Sequence, residues 1–284
     1  MADFKKAFVT GWPVNHSRSP IIHRYWLAQH GLLDQGDYVK HPCEPEKLED
    51  FLSTLEANGF VGGNVTVPHK EVVFSLIKDP QPAAAALGAV NTVWLENGVL
   101  QGTNTDGFGF LANLDDRHPG WDSINNRGRG ALVLGAGGAS RAVIHSLVER
   151  GFGEVLIANR TLARAEQLVA QFGPTCRAIV ISDVNCHTCA PSIIVNTTSI
   201  GMNDGVSPVN LTGFPTDTIV HDIVYTPLMT PLLVQADKLG MATVDGVGML
   251  LHQAVLGFEN WFGVRPKVDA TLRRLILEDL GEAS

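Results

Sequence analysis

A chain of 284 residues with 45% apolar content is long enough for two ordinary domains, each with its own core, and this excludes disorder as the default state. A net charge of −8, with no run of Lys and Arg, argues against nucleic acid or an anionic membrane as a partner, so any phosphate must be held locally. No stretch reaches the roughly 18 apolar residues of a membrane span, the opening "MADFKKAFVTGW" has no apolar core followed by a small-residue cleavage site, and a cytoplasmic location is expected.

The first hundred residues alternate between two patterns. "KAFVTGW" reads as a strand, "SPIIHRYWLAQHG" as a helix, "DYVKHPC" as a strand, "EPEKLEDFLSTLEANG" as a helix closed by its Asn-Gly, and "FVGGNVTVP" as a third strand stopped by Pro68. Strands that alternate with helices imply a mostly parallel sheet covered by helices. In "TVWLENGVLQG" two short apolar runs flank Asn97-Gly98, the signature of a tight hairpin.

From about Gly107 a helix and a polar loop lead into five strand-then-loop units, most followed by a helix: "ALVLGAGGASRAVIHSLVERG", "EVLIANRTLARAEQLVAQFG", "SIIVNTTSIG", "TIVHDIVYTPLMTPLLVQADKLG" and "ATVDGVG". This is the pattern of a doubly wound nucleotide-binding domain. The tail from Gly248, "GMLLHQAVLGFENWFG" and "KVDATLRRLILEDLG", is helical with no strand left to cover, so it is expected to pack back on the first domain. The expected division is residues 1–106 plus 247–284 as a discontinuous α/β domain, and 107–246 as a Rossmann-type domain.

Cys43, Cys176, Cys186 and Cys189 are too few and scattered for a disulfide framework. The CxxC spacing of Cys186 and Cys189 has no second pair and no suitably spaced histidines to complete a metal site, so the two are read as incidental thiols and no metal is expected.

In "LVLGAGGASRA" an apolar strand runs into Gly135, Ala136, Gly137, Gly138 and Ala139, and a helix follows. Glycines permit the tight turn and let backbone approach a pyrophosphate, whose charge is met by the amides that open the helix. The third glycine of the GxGxxG pattern is Ser140 here. At the end of the next strand, where NAD enzymes carry an Asp or Glu for the ribose 2′-hydroxyl, stand Asn159, Arg160 and Thr161, with Arg164 three residues on. A carboxylate would repel a 2′-phosphate, whereas an asparagine and two guanidiniums hold one, so NADP is preferred to NAD.

A second set of residues points to a small ligand. Ser17 and Ser19 precede a helix with Pro20 in its first turn. Ser19 suits the N-cap and Pro20 position N1, while two hydroxyls beside a helix start also suit a carboxylate. Asn64 and Thr66 alternate with Val65 and Val67 at the end of a strand, and Lys70 follows two residues after Pro68. Taken alone, a lysine there is a solvated residue opening a helix. Asn91, Asn104, Thr105 and Asp106 add short polar side chains at element ends, and Gln253 sits on an otherwise apolar helix, where a neutral amide needs a partner in the protein or a ligand. Hydroxyls and amides with one lysine and one carboxylate suit a polyhydroxylated carboxylic acid.

With "HSRSPIIH", "GGNVTVPHK", "GAVNTV", "GTNTDGFGF", "LGAGGASRA", "NRT", "NTTSIG", "DIVYTP" and "DGVGMLLHQA" in order along nearly the whole chain, the sequence resembles the shikimate dehydrogenase family. The resemblance implies reversible, NADPH-dependent reduction of 3-dehydroshikimate to shikimate. It implies that Lys70 and Asp106 are the catalytic pair, Lys70 as proton donor to the C3 oxygen and Asp106 as the group that orients it. It further implies that Ser17 and Ser19 hold the carboxylate, and that Asn64, Thr66, Asn91, Thr105, Tyr225 and Gln253 contact ring hydroxyls. On the cofactor side it adds Thr197, Ser199, Ile223, Gly246 and Met249 to the glycine loop and the Asn159–Arg164 stretch.

Two positions depart from the family pattern. "YTP" stands where many members read Tyr-Asn-Pro, and Pro82 where an acidic residue is common. The alternatives are an NAD-using quinate/shikimate dehydrogenase and a non-catalytic regulator that binds NADPH and a metabolite. The missing acid after "EVLIA" argues against the first, and retention of both Lys70 and Asp106 against the second. A monomer or homodimer is expected.

Overall fold

Strand β1 (Lys5–Gly11) is buried along almost its whole length, as expected for a parallel strand covered on both faces. In the computed structural model, which describes residues 4–186 and 190–282, it is followed by α1 (Ser19–Gln29), β2 (Gly36–Pro42), α2 (Leu48–Ser53), β3 (Phe60–Val65), α3 (Lys70–Leu76), α4 (Pro82–Leu87), β4 (Thr92–Glu96) and β5 (Val99–Thr103). The sheet order is β2-β1-β3-β4-β5. The β1–β2 and β1–β3 pairs are parallel, and β3–β4 and β4–β5 are antiparallel. Asn97 and Gly98 between β4 and β5 both have positive φ, 52° and 75°, the twist-matched turn that an Asn-Gly hairpin favours. Pro82 opens α4, where its missing N–H costs nothing. The helix expected over "EPEKLEDFLSTLEANG" is shorter than the sequence reading: a 3-10 turn, Pro45–Lys47, leads into α2, and turns follow Ser53.

The chain then runs through α5 (Asp106–Arg117), α6 (Ile124–Arg129), β6 (Ala131–Leu134), α7 (Gly138–Glu149), β7 (Val155–Asn159), α8 (Leu162–Phe172), β8 (Cys176–Val180), β9 (Ile193–Asn196), β10 (Ile219–Asp222), α9 (Pro231–Lys238), β11 (Thr243–Val244) and α10 (Val247–His252). This sheet is wholly parallel, with order β11-β10-β9-β6-β7-β8. It has six strands where the sequence reading expected five; the extra one is the edge strand β8. Alternate residues of β6 serve opposite faces. Ala131 and Val133 join Phe110, Val143, Ile144 and Leu168 in one core, and Leu132 and Leu134 join Ile194, Val220, Leu232 and Leu233 in another. Helices on both faces of a parallel sheet make this a doubly wound fold.

Two helices close the chain, α11 (Ala254–Phe262) and α12 (Ala270–Leu280). Helix α11 buries Ala254, Phe258 and Trp261, one helical face, and lies against β1, β3 and β4. The Trp261 indole N–H donates to the Val93 carbonyl at 2.9 Å. Gly62 permits this approach: its φ is +153°, and a Cβ there would sit 2.5 Å from Trp261 Nε1. Helix α12 packs on α1, where the Trp26 indole N–H donates to Lys267 O at 3.0 Å and the Tyr25 hydroxyl to Asp269 at 2.8 Å. The chain thus divides into two units, residues 4–105 with 251–282 and residues 106–250. The divisions fall at 105/106 and 250/251, against the expected 106/107 and 246/247, because Asp106 already belongs to α5 and α10 bridges the second junction. Apart from the backbone of Cys186, the CxxC stretch lies outside the described residues; Cys43 and Cys176 are buried free thiols.

Candidate active site

In the first unit, Ser17 and Ser19 meet at the start of α1: the Ser19 N–H donates to Ser17 Oγ at 3.3 Å, and the Ser17 hydroxyl donates to Ser19 Oγ at 3.2 Å. Ser19 is not the cap that its sequence suggests. It is the first helical residue, with Arg18 in the cap position and no side chain capping the first turn. Ser17 supplies the local acceptor instead.

Asn64, in β3, anchors a hydrogen-bond chain across the sheet. Its Nδ2 donates to the backbone carbonyl of Asn91 at 3.3 Å and to Thr92 Oγ1 at 3.1 Å, and its Oδ1 accepts from the Tyr38 hydroxyl at 2.6 Å. The Thr92 hydroxyl donates on to Asn91 Oδ1 at 2.9 Å, and that oxygen also takes the Thr105 N–H at 2.9 Å and the Thr105 hydroxyl at 3.2 Å. A backbone carbonyl can only accept and a backbone N–H can only donate, so Asn91 O and Thr105 N fix the orientation of both amides. Asn91 and Thr105 are buried and bonded to each other; Asn104 is buried as well, and its Nδ2 donates to Ala89 O at 3.1 Å.

Thr66 lies one residue beyond β3, half-buried, its N–H donating to Thr10 O at 2.9 Å. The segment from Thr66 to Lys70 is tied on both flanks. Trp12 N–H donates to Val67 O at 3.1 Å, His69 N–H to Thr66 O at 3.0 Å, and Val90 N–H to Lys70 O at 2.9 Å; the buried His69 ring stands 2.8 Å from Cys43 O. Lys70 is the half-buried first residue of α3. Gln253 falls at the break between α10 and α11, half-buried, and its amide has no partner among the described residues. Asp106, the residue after Thr105, opens α5 and belongs to the second unit, as does the half-buried Tyr225.

In the second unit, the loop after β6 lies where the strand order reverses, between β6 and β9, the place where such sheets bind ligands. Gly135 has φ +109°, and a Cβ there would come 2.8 Å from Thr197 Oγ1. A Cβ at Gly137 or Gly138 would meet nothing, so open space lies in front of both, at the N-terminus of the twelve-residue α7 that continues through Ala139. Ser140, in place of the third glycine, is fully buried and returns its hydroxyl to Gly137 O at 2.6 Å, which removes its polar cost. At the end of β7, Asn159 Nδ2 donates to Thr161 O at 2.8 Å. Arg160 and Arg164 are exposed and make no ion pair or hydrogen bond among the described residues. An open glycine cradle and two uncommitted guanidiniums with no carboxylate between Asn159 and Arg164 fit an NADP pyrophosphate and 2′-phosphate.

The loops after β9 and β10 are held by one buried carboxylate. Asp222 accepts from Asn196 Nδ2 at 3.0 Å, from Val224 N–H at 3.0 Å and from the Thr230 hydroxyl at 2.7 Å, while Asn196 Oδ1 takes the Thr198 N–H at 3.0 Å. Burial raises the Asp222 pKa and these donors oppose the rise. The anchor fixes the backbone around Thr197, Ser199, Ile223 and Tyr225. Thr197 itself donates to Leu134 O at 2.7 Å, and Ser199 is exposed. Gly246 lies so close to the Ile223 carbonyl that no side chain fits, and Met249 packs against the core beside α5 and α7.

Tyr38, Thr92 and Asp222 were missed at the level of sequence. Tyr38 and Thr92 are 26 and 28 residues from Asn64, and their pairing exists only once β2 and β4 flank β1 and β3.

Comparison with known proteins fits this arrangement. Residues 9–93 match the shikimate dehydrogenase substrate binding domain, 122–202 the shikimate / quinate 5-dehydrogenase family, and 246–276 the shikimate 5′-dehydrogenase C-terminal domain. The shikimate dehydrogenase (NADP(+)) of Azorhizobium caulinodans is 53% identical over 97% of both chains, and that of Brucella canis 51% identical over 100% of this chain and 97% of its own. Among solved structures, the Thermus thermophilus shikimate 5-dehydrogenase in complex with NADP(H) and shikimate is 35% identical, with a TM-score of 0.82 over 98% of this chain and 99% of its own. The quinate dehydrogenase of Corynebacterium glutamicum in complex with NAD is 28% identical, with a TM-score of 0.85 over 97% and 99%. Identity above half along the full length, joined to the glycine loop and the polar strand ends, places this chain in the shikimate dehydrogenase family.

Proposed function

We propose that Lys70 is the proton donor of this enzyme and that Asp106 orients it. The chain is an NADP-dependent shikimate dehydrogenase, catalysing the reversible reduction of 3-dehydroshikimate to shikimate on the route to chorismate and the aromatic amino acids. NADPH, when bound, supplies the hydride. The protein must then give a proton to the C3 oxygen as negative charge develops there, and take it back in the reverse direction. Lys70 does this, on a segment whose backbone is tied at Thr66, Val67, His69 and Lys70. Ser17 and Ser19 take the substrate carboxylate. Asn64, Thr66, Asn91, Thr105, Tyr225 and Gln253 take ring hydroxyls, the unpartnered amide of Gln253 being the observation that speaks most directly for a ligand. On the cofactor side, Gly135–Ala139 cradle the pyrophosphate, and Asn159, Arg160, Thr161 and Arg164 hold the 2′-phosphate. Thr197, Ser199, Ile223, Gly246 and Met249 line the nicotinamide side.

The observation that carries the cofactor assignment is the pair of uncommitted guanidiniums at Arg160 and Arg164. Arg160→Ala is expected to raise KM for NADP roughly 10-fold or more, the scale of a lost charge-assisted contact, and to leave KM for NAD nearly unchanged. Equal losses with both cofactors in steady-state kinetics mean that the arginine supports the fold only. We also propose a cytoplasmic location and a monomer or homodimer. Among the described residues no helix is long and apolar enough to cross a membrane, and the net charge of −8 does not favour an anionic surface.

A further inference from the structure

Tyr38 is fully buried in β2, and its ring is clamped by other aromatics. It stacks on His23 with centroids 4.0 Å apart at 20°, and Trp261 stands 5.7 Å away. His23 in turn lies near-parallel to Phe258 at 6.0 Å, and Trp261 is held by its bond to Val93 O. A ring so enclosed has little freedom, and a tyrosine hydroxyl at full burial needs a partner. That partner is Asn64 Oδ1, at 2.6 Å, the shortest bond in the chain that runs through Thr92 to Asn91 and Thr105. Burial raises the phenol's pKa well above its ordinary value, with the Ser19 side chain and Asn64 acting in the opposite direction, so the hydroxyl stays protonated and remains a donor.

The geometry points to Tyr38 as a positioning residue for substrate binding: its hydroxyl pins the oxygen end of the Asn64 amide while the Asn91 carbonyl pins the nitrogen end, so that Asn64 meets the substrate's hydroxyl in one fixed orientation. The inference rests on Asn64 being a substrate contact. It adds a residue that reaches the site through the side chain that accepts its hydroxyl, Asn64. Without the phenol hydroxyl, the amide keeps its two nitrogen-end bonds, to Asn91 O and Thr92 Oγ1, and loses the one at its oxygen end, the end that binding must then order.

The test is steady-state kinetics with shikimate and NADP on Tyr38→Phe, Asn64→Ala and the double variant, with thermal unfolding of each. Tyr38→Phe removes one oxygen and leaves the ring stack in place. It is expected to raise KM for shikimate about threefold to tenfold, the scale of one hydrogen bond, with kcat and KM for NADP little changed. Asn64→Ala is expected to raise the same KM, and adding Tyr38→Phe to Asn64→Ala is expected to raise it no further. An unchanged KM in Tyr38→Phe, or an equal increase with and without Asn64, overturns the positioning role while leaving Asn64 as a ligand. An unchanged KM in Asn64→Ala overturns the substrate assignment of Asn64 and this inference with it.

Discussion

Lys70→Ala is expected to lower kcat for shikimate oxidation about 100-fold or more, since general acid–base catalysis contributes roughly 10²–10⁴, while KM for shikimate changes less. The split follows from what the side chain does. A proton donor acts on charge that exists only in the transition state, so its loss falls on kcat; a residue that merely contacts substrate shifts KM. The substitution keeps the backbone tie of this segment, because the bond from Val90 N–H goes to the Lys70 backbone carbonyl and alanine keeps that carbonyl. Alanine also suits the first position of α3. A near-normal kcat in this variant removes Lys70 from the chemistry.

Acid is expected to destabilise each unit through one buried histidine. Burial lowers the pKa of His23 to about 3, with the Asn64 side chain opposing, and that of His221 to about 4, with Asp245 opposing. Both imidazoles are fully buried: neither ring nitrogen of His23 has a well-formed hydrogen bond, and Asn113 Nδ2 lies 3.3 Å from His221 Nε2. A base whose pKa is depressed on folding stabilises the native state above its unfolded value and loses that contribution as pH falls, because the unfolded chain takes up the proton first. Between pH 7 and 4.5 the loss is on the order of 2–3 kcal/mol per histidine, a large share of the stability of an ordinary domain. Asp37, held below the ordinary carboxylate range chiefly by its hydrogen bond with Arg24, adds to the loss at lower pH. Asp222 works the other way, since its raised pKa favours the native state in acid. Urea unfolding at the two pH values measures the sum. His23→Phe, an apolar ring in an aromatic setting, is expected to flatten the dependence for the first unit alone. Unfolding midpoints that do not move between pH 7 and 4.5 contradict this role of the two histidines.

The parts of the fold that local rules govern were legible in the sequence. Asn97-Gly98 gives its hairpin because both residues tolerate positive φ, and the apolar strand before Gly135 gives a parallel strand with a glycine turn at its end. The return of the tail was legible from a helix with an apolar face and no strand of its own to cover. Edge and network features were not. Strand β8 alternates the exposed Arg177 with only a short apolar run, and exists because β7 offers it a free edge. The helix over "EPEKLEDFLSTLEANG" has helical composition throughout, yet its later residues form turns that deliver the chain to β3. For the site, the residue types were readable one by one. What was hidden is how Asn64, Asn91 and Thr105 spend their hydrogen bonds on one another, since that depends on strand register and on Tyr38 and Thr92 arriving from elsewhere.

The reaction assigned to this chain is tested most directly by the formation of reduced nicotinamide, followed by its near-ultraviolet absorbance, when the purified protein is mixed with shikimate and either NADP or NAD. Rapid turnover is expected with shikimate and NADP, and much weaker turnover with NAD. Turnover only with quinate and NAD, or binding of NADP and shikimate without any reduction, contradicts the assignment.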